Sequence, residues 1–184
     1  DAILEQLTRE ADNLHEVYFL APTLESLKTY DSFMKGLAAI HARHPELGFH
    51  SEIRAARINR EKARSIAQAG FRSLEVGLQT VNEKALAING RRSDMERELG
   101  GMECLADAGI ELKIGLIPGL PGDDPETFRK GIDLLCERGF AEQIEYYPLM
   151  VLPQTALRSM ADDYALQYLE QPPYYITLQQ NFTQ

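Results

Sequence analysis

The sequence predicts an α/β fold with a parallel sheet, and three observations lead to that class. Segments with apolar residues at helical spacing alternate with short segments of period-two apolarity, at about 30 residues per unit. Glycine or proline closes most of these segments. Most strands also have one polar face, as where Glu75 alternates with Leu74 and Val76. Helices on both sides of a flat parallel sheet would require two apolar faces, so the pattern predicts a curved sheet with helices outside and a wetted concave face.

Five segments are predicted as strands, because apolar and polar residues alternate in them or because aromatic and β-branched residues are frequent. The third is the clearest, since it alternates without interruption up to Gln79. In chain order the predicted strands are residues 15–20, 48–55, 71–79, 111–116 and 143–149.

The predicted helices have an apolar stripe and recognisable ends. Asn59, Asp94 (or its neighbour Ser93) and Asp124 are predicted N-caps, and Pro125 follows the last of them at the first helical position. Proline or glycine ends most of the helices. In chain order the predicted helices are residues 2–13, 24–43, 60–69, 81–88, 95–108, 125–138 and 156–169.

Composition excludes several classes of protein. The chain has 184 residues, 44% of them apolar, with a net charge of -9. This is ordinary globular material, and the negative charge argues against a broad nucleic-acid or anionic-membrane surface. Cys104 and Cys136 fall among apolar helical residues, so we expect buried thiols and a reducing, cytoplasmic location. Neither the cysteines nor the scattered histidines have metal-ligand spacing, so no metal site is predicted.

The fourth strand runs into a glycine-rich turn, residues 118–122, and then into a helix. The carboxyl ends of parallel strands are where ligands bind in α/β folds. Two interpretations stay open for this turn: close approach of the backbone to a ligand, or glycine needed only for its dihedral angles. On the predicted concave face, we expect Glu52, Arg54, Glu75 and Lys113 to pair with one another or with a ligand, because buried charge is costly when unpaired.

Taken in order, four stretches resemble the later strands of the radical S-adenosylmethionine (SAM) enzymes. The resemblance covers most of the chain, from about residue 14 to residue 158, and the ordered set is far more specific than any one piece. The stretches are Ser51-Glu52-Ile53-Arg54, Leu74 through Asn82, Ala108-Gly109-Ile110 leading to Gly115 through Gly122, and Tyr147-Pro148-Leu149 through Thr155.

The resemblance implies a partial, open (β/α) TIM-like barrel with mainly parallel strands, five of about six being present. In the family, the first strand leads into a CxxxCxxC loop that binds a [4Fe–4S] cluster, and SAM cleavage at the cluster yields a 5′-deoxyadenosyl radical. This sequence lacks that motif. We therefore expect a fragment without activity of its own, with the barrel at residues 1–170 and a tail, residues 171–184, packing on it. The sequence is most similar to the branch whose relatives carry an upstream cobalamin-binding domain, and this resemblance implies cobalamin as a further candidate cofactor of the parent.

The resemblance also implies SAM-binding positions. Gln79 matches a glutamine that reaches the ribose, and Glu52 matches an acidic residue suited to the ribose hydroxyls or the SAM amine. Arg91 matches an arginine that clamps the SAM carboxylate, with Arg92 as a rival. The remaining candidates are Arg54, which ends the first matching stretch, and Ile117 and Gly119, which match the segment that packs against adenine.

Two other functions stay open at this point. One is a phosphate-binding (β/α) barrel aldolase or isomerase, in which Lys113 forms a Schiff base, although a complete barrel of that kind needs eight strands and ~250 residues. The other is a non-catalytic binding or assembly domain. The catalytic residue and the substrate, a small molecule or otherwise, are not identified. The exposed edge of the first strand, residues 17–20, predicts self-association.

Overall fold

The computed structural model describes residues 2–21 and 23–178. Its helices and strands follow the predicted order up to the fifth strand. The strands are β1 (Glu16–Phe19), β2 (Gly48–Ile53), β3 (Phe71–Gln79), β4 (Glu111–Leu116), β5 (Ile144–Tyr146), β6 (Gln167–Tyr168) and β7 (Ile176–Leu178). The helices are α1 (Ala2–Glu10), α2 (Tyr30–His41), α3 (Arg60–Gln68), α4 (Glu83–Ile88), α5 (Met95–Asp107), α6 (Pro125–Glu137) and α7 (Ala156–Ser159).

The first five strands form one parallel sheet in the order β1-β2-β3-β4-β5, which is the order of the sequence. Tyr18 lies opposite His50, and His50 lies opposite Ser73, so polar residues share one face across three strands. The sheet is not closed, and β1 and β5 are its two edges. The predicted α/β class, with an open parallel sheet, is confirmed.

The predicted helix caps explain where three helices begin. The side chain of Asn59 accepts a hydrogen bond from the Lys62 amide (2.9 Å), and Asp124 accepts one from the Thr127 amide (2.9 Å). At the third start Asp94, rather than Ser93, is the cap. A side-chain acceptor at this position satisfies an amide that has no partner inside the helix, so each cap fixes the first turn.

Three predicted segments differ most from the observed ones, and each is shorter in the structure. The helix predicted over residues 24–43 begins only at Tyr30, because Leu24 and Glu25 turn into the core in a short 3-10 turn and Leu27 leaves helical geometry (ψ 134°). The last predicted helix ends at Ser159, since the chain turns back through Ala165, whose φ is 47°. The fifth strand keeps three residues of the seven expected.

The chain divides into two compact units. The first comprises Asp1–Gly77 and Asp94–Ile114. Its core contains an aromatic cluster in which Phe19 packs on Phe33, Phe49 and Phe71, with ring centroids 5.5–5.9 Å apart. Phe49 is fully buried, and burying a side chain of that size contributes about 1.5–3 kcal/mol.

In this first unit α5 packs directly against the loop that follows β2. A Cβ added to Gly101 would lie 1.8 Å from the carbonyl oxygen of Ala55, so only glycine fits at that position. Beside it, the buried carboxylate of Glu98 accepts a hydrogen bond from the Ala56 amide (2.9 Å). Helix α5 therefore fixes the path of the loop immediately after Arg54.

The second unit comprises Leu78–Ser93 and Gly115–Gln184. It includes a small cluster in which Val151, Ala161 and Leu166 are buried beside the antiparallel pair β6 and β7. Residues 171–178 of the predicted tail are described and contain β7, whereas residues 179–184 lie outside the described part. The predicted division at residue 170 stays a prediction.

Two expectations from composition have different outcomes. In the described residues, no helix has the length and apolarity needed to cross a membrane. Both cysteines are free, but Cys136 is exposed and Cys104 is half-buried, so the prediction of buried thiols is wrong. Their apolar sequence neighbours face the core at helical spacing, which turns the cysteines outward.

Candidate functional site

The second unit contains four of the six predicted SAM-binding residues: Gln79, Arg91, Ile117 and Gly119. The Ile117 amide donates a hydrogen bond of 2.8 Å to the carbonyl oxygen of Gln79. The carboxyl ends of β3 and β4 therefore lie side by side. The amide of Tyr147, just after β5, donates in turn to the carbonyl oxygen of Leu116 (2.9 Å).

Gln79 has a strained backbone. Its φ is 70°, a left-handed value that residues other than glycine rarely adopt. Its side chain is half-buried, and the amide makes no hydrogen bond within the described part of the chain. Strain of this kind, at a cost of about 1–3 kcal/mol, is concentrated at functional sites. An amide with free donor and acceptor atoms can bind a ligand that offers both partners.

The turn after β4 is held by its own glycines. Gly119 and Gly122 have φ values of 85° and 84°, and the Asp123 amide donates to the carbonyl oxygen of Leu120 (2.9 Å). A Cβ on Gly122 would lie 2.4 Å from Cδ1 of Ile88, so this glycine also permits the turn to pack on α4. For Gly122 the conformational and packing requirement is sufficient without a ligand.

Beneath these two strand ends lies a buried carboxylate that the sequence interpretation missed. Asp123 is completely buried and accepts hydrogen bonds from Thr80 Oγ1 (2.7 Å), Asn82 Nδ2 (3.1 Å) and the Asp124 amide (3.0 Å). Asn82 Nδ2 also donates to the carbonyl oxygen of Gly122 (3.2 Å). The sequence held one signal for this arrangement, an acidic residue between the glycine turn and the cap Asp124.

Arg91 follows α4, where Gly90 adopts a φ of 70° and the Arg91 amide donates to the carbonyl oxygen of Leu86 (2.8 Å). This closes the helix and fixes the backbone of Arg91. A cavity of about 200 Å³ is lined by Leu86, Arg91, Arg92 and their neighbours. Arg91 is half-buried and Arg92 is exposed, and both stay candidates for the SAM carboxylate.

The first unit contains the other two predicted residues, Glu52 and Arg54. Glu52 is exposed and has no ion pair with Arg54 in the described residues. The Arg54 amide donates to the buried carboxylate of Glu25 (3.4 Å), which lies 3.7 Å from Arg57 Nη1. The backbone at Arg54 is thus held by the protein, while the side chain of Glu52 keeps its acceptors available.

Glu52 lines a second cavity, of about 110 Å³, with Glu75, Lys113 and His50. His50 Nδ1 lies 2.6 Å from Ser73 Oγ, and its ring stacks on Tyr18 at 4.5 Å. Of the four charged residues expected to pair on this face, Glu52, Glu75 and Lys113 line the cavity and Arg54 does not, so the pairing stays a prediction. In the ranges described, no three metal-ligating side chains come together. The six predicted residues thus form one group in each unit, and their common pocket stays a prediction.

Comparison with known proteins gives the family. The model of the radical SAM superfamily matches residues 1–135. Among curated proteins, a tRNA uridine(34) acetyltransferase from Methanocaldococcus jannaschii is 25% identical over 121 residues, which is 65% of this chain and 22% of that protein.

Solved structures share the fold. The radical SAM methyltransferase TsrM from Kitasatospora setae, with cobalamin and a [4Fe–4S] cluster bound, superposes with a TM-score of 0.75 at 18% identity. The match covers 92% of this chain and 35% of TsrM. An N-terminally truncated Elp3 from Methanocaldococcus infernus has a TM-score of 0.64 at 20% identity, over 88% of this chain and 43% of that structure. The chain therefore spans less than half of each of these relatives.

Proposed function

The chain belongs to the radical SAM superfamily, and on that premise we propose that it forms the SAM-binding part of a larger iron–sulfur enzyme. In such enzymes the bound cluster and SAM supply reductive cleavage of SAM and hydrogen abstraction from a substrate. The two cysteines of the chain do not form a CxxxCxxC motif. We propose that the cluster ligands lie in a part of the gene product outside these 184 residues, and that the chain alone is inactive.

The residues present fit SAM in chemical type. The observation that carries the proposal is Gln79 at the carboxyl end of β3, beside the backbone of Ile117. Its backbone is strained, and its side-chain amide makes no hydrogen bond to any residue that the structure describes. We propose that this amide binds the ribose hydroxyls and that Ile117 and Gly119 pack against adenine. Glu52 would accept from the ribose or the amine, with Arg54 nearby in sequence, and Arg91 would pair with the carboxylate.

The aldolase or isomerase alternative is not favoured. The open sheet of five strands differs from the closed eight-stranded barrel of those enzymes.

Several finer statements belong to the same proposal. We propose a cytoplasmic oxidoreductase or transferase, which the two free cysteines support. Cobalamin is a candidate cofactor of the parent, because TsrM carries it. A small-molecule substrate accords with the net charge of -9, which opposes a broad nucleic-acid surface on this chain.

The test uses the full-length gene product, reconstituted anaerobically with iron and sulfide. We expect the absorbance of a [4Fe–4S] cluster, perturbed by SAM, and weaker SAM binding after Gln79→Ala. Gln68→Ala is the matched control, because Gln68 is an exposed glutamine at the end of α3. A protein that takes up no iron, or a Gln79→Ala variant that binds SAM like Gln68→Ala, would contradict the proposal.

A further inference from the structure

We propose that Asp123 is a positioning residue for SAM, holding the two strand ends that bind it. The inference rests on the proposed function, but its physical basis lies in the second unit alone. Asp123 is one of the few buried charged residues of the described chain, with no exposed surface. Burying a carboxylate costs free energy unless hydrogen-bond donors surround it. The hydrogen bonds to Asp123 therefore hold the donating groups in place.

The first constraint acts on the end of β3. Thr80, which is itself buried, donates to Asp123 Oδ2 across 43 residues of sequence. Thr80 directly follows Gln79, so this bond anchors the residue after the strained one. The backbone amide of Asn82 donates in turn to Thr80 Oγ1 (3.1 Å), so the same network of hydrogen bonds reaches the start of α4.

The second constraint acts on the glycine turn. Asp123 directly follows the turn, and Asn82 Nδ2 donates both to its carboxylate (3.1 Å) and to the carbonyl oxygen of Gly122 (3.2 Å). The segment from Ile117 to Gly122 is therefore held at both ends, by the Ile117–Gln79 backbone bond and by Asn82. Relaxing Asp123 would free both strand ends that are proposed to bind the nucleoside.

A third effect reaches Arg91 through α4. Asn82 Oδ1 caps this helix by accepting from the amides of Lys84 (3.0 Å) and Ala85 (3.2 Å). The same side chain therefore contacts Asp123 through its nitrogen and starts the helix through its oxygen. Arg91 follows the end of α4, six residues long, so the start of the helix determines where Arg91 lies.

Two substitutions separate this role from simple loss of stability. In Asp123→Asn the remaining oxygen can keep the bonds from Asn82 and Asp124, while the new amide can donate to Thr80, whose hydroxyl also accepts. In Asp123→Ala both acceptor oxygens disappear, so all three hydrogen bonds are lost and buried donors are left unpaired. Leu135→Ala is the stability control, because Leu135 is a fully buried residue of α6 about 15 Å along the helix from its start.

The first measurement is equilibrium binding of SAM to the full-length, reconstituted protein. Asp123→Ala should weaken binding on the order of tenfold or more, and Asp123→Asn by no more than about threefold. Leu135→Ala should leave the dissociation constant within about twofold of the wild type while lowering the unfolding midpoint. Equal weakening in Asp123→Ala and Leu135→Ala would overturn the inference, because general instability would then account for both.

The second measurement needs neither SAM nor the cluster. In the full-length protein without cofactors, amide hydrogen exchange at residues 79–82 and 117–123 should accelerate on the order of tenfold in Asp123→Ala but not in Leu135→Ala. Unchanged exchange in those segments would refute the positioning role. If the wild type bound no SAM at all, the proposed function would fail while this exchange result could still stand, so the two failures are distinguishable.

Discussion

Two adjacent glycines in α5 are predicted to respond to alanine with opposite signs. Gly101 faces the Ala55 carbonyl, and an added Cβ would lie 1.8 Å from its oxygen, whereas nothing lies within 4 Å of a Cβ on Gly100. Helix and loop must therefore separate by more than about 1 Å to accept Gly101→Ala, and both sides of the contact are backbone, which cannot rotate away.

The magnitudes follow from these distances. Overpacking in a dense core costs about 1–3 kcal/mol, and we place this contact at the upper end because no side chain can yield. The higher helix propensity of alanine offsets up to about 1 kcal/mol of this cost, so Gly101→Ala should lower the free energy of unfolding by about 2 kcal/mol. Gly100→Ala meets no steric contact, so it should raise the free energy of unfolding by about 0.5–1 kcal/mol through helix propensity alone.

Urea unfolding of the purified full-length variants, compared at equal denaturant slope, measures both changes. A Gly101→Ala variant as stable as the wild type would show that α5 does not press on the loop after β2. Gly100→Ala, in the same helix turn, excludes a general effect of alanine in α5.

Three further predictions concern other parts of the chain. Burial, together with the nearby charge of Asp31, raises the pKa of Tyr30 to about 12. The free energy of unfolding that this tyrosine contributes below pH ~10 should therefore be lost as the pH rises toward 12. Tyr30→Phe should remove that loss in alkaline unfolding curves. Hydrogen bonds from Thr127 lower the pKa of Asp124, so the ionised carboxylate stabilises the fold above pH ~4 and this stabilisation is lost below it. The difference in free energy of unfolding between the wild type and Asp124→Asn should therefore shrink from pH 7 to pH 3. The edge strand β1 should make the isolated chain self-associate, and Leu20→Lys, at a position 94% exposed, should reduce its sedimentation coefficient; an unchanged coefficient would refute this interface.

Local patterns account for the parts of the fold that the sequence predicted well. Strand β3 has the predicted bounds because apolar and polar residues alternate in it without interruption. Helix α6 begins as predicted because Asp124 caps it and Pro125 occupies its first position, and both effects involve only residues close in sequence. The predicted helix start at Leu24 was wrong because burial of Leu24 and Glu25 outweighs helical spacing. Tertiary packing routinely overrides local propensity in this way.

The candidate site was predicted only where it resembles a known family. The position of Gln79 at the end of a strand followed from the pattern, but its left-handed φ did not, because strain depends on the surrounding structure. Asp123 was missed because it is buried against Thr80, 43 residues away, and nothing in the neighbouring sequence distinguishes a buried aspartate from an exposed one. Long-range polar networks of this kind require coordinates.

The most direct test of the account is the structure of the full-length protein with SAM bound. The account predicts one nucleoside whose ribose lies within hydrogen-bond distance of the Gln79 amide, with adenine against Ile117 and Gly119. A nucleoside bound elsewhere, without contact to Gln79, would contradict it.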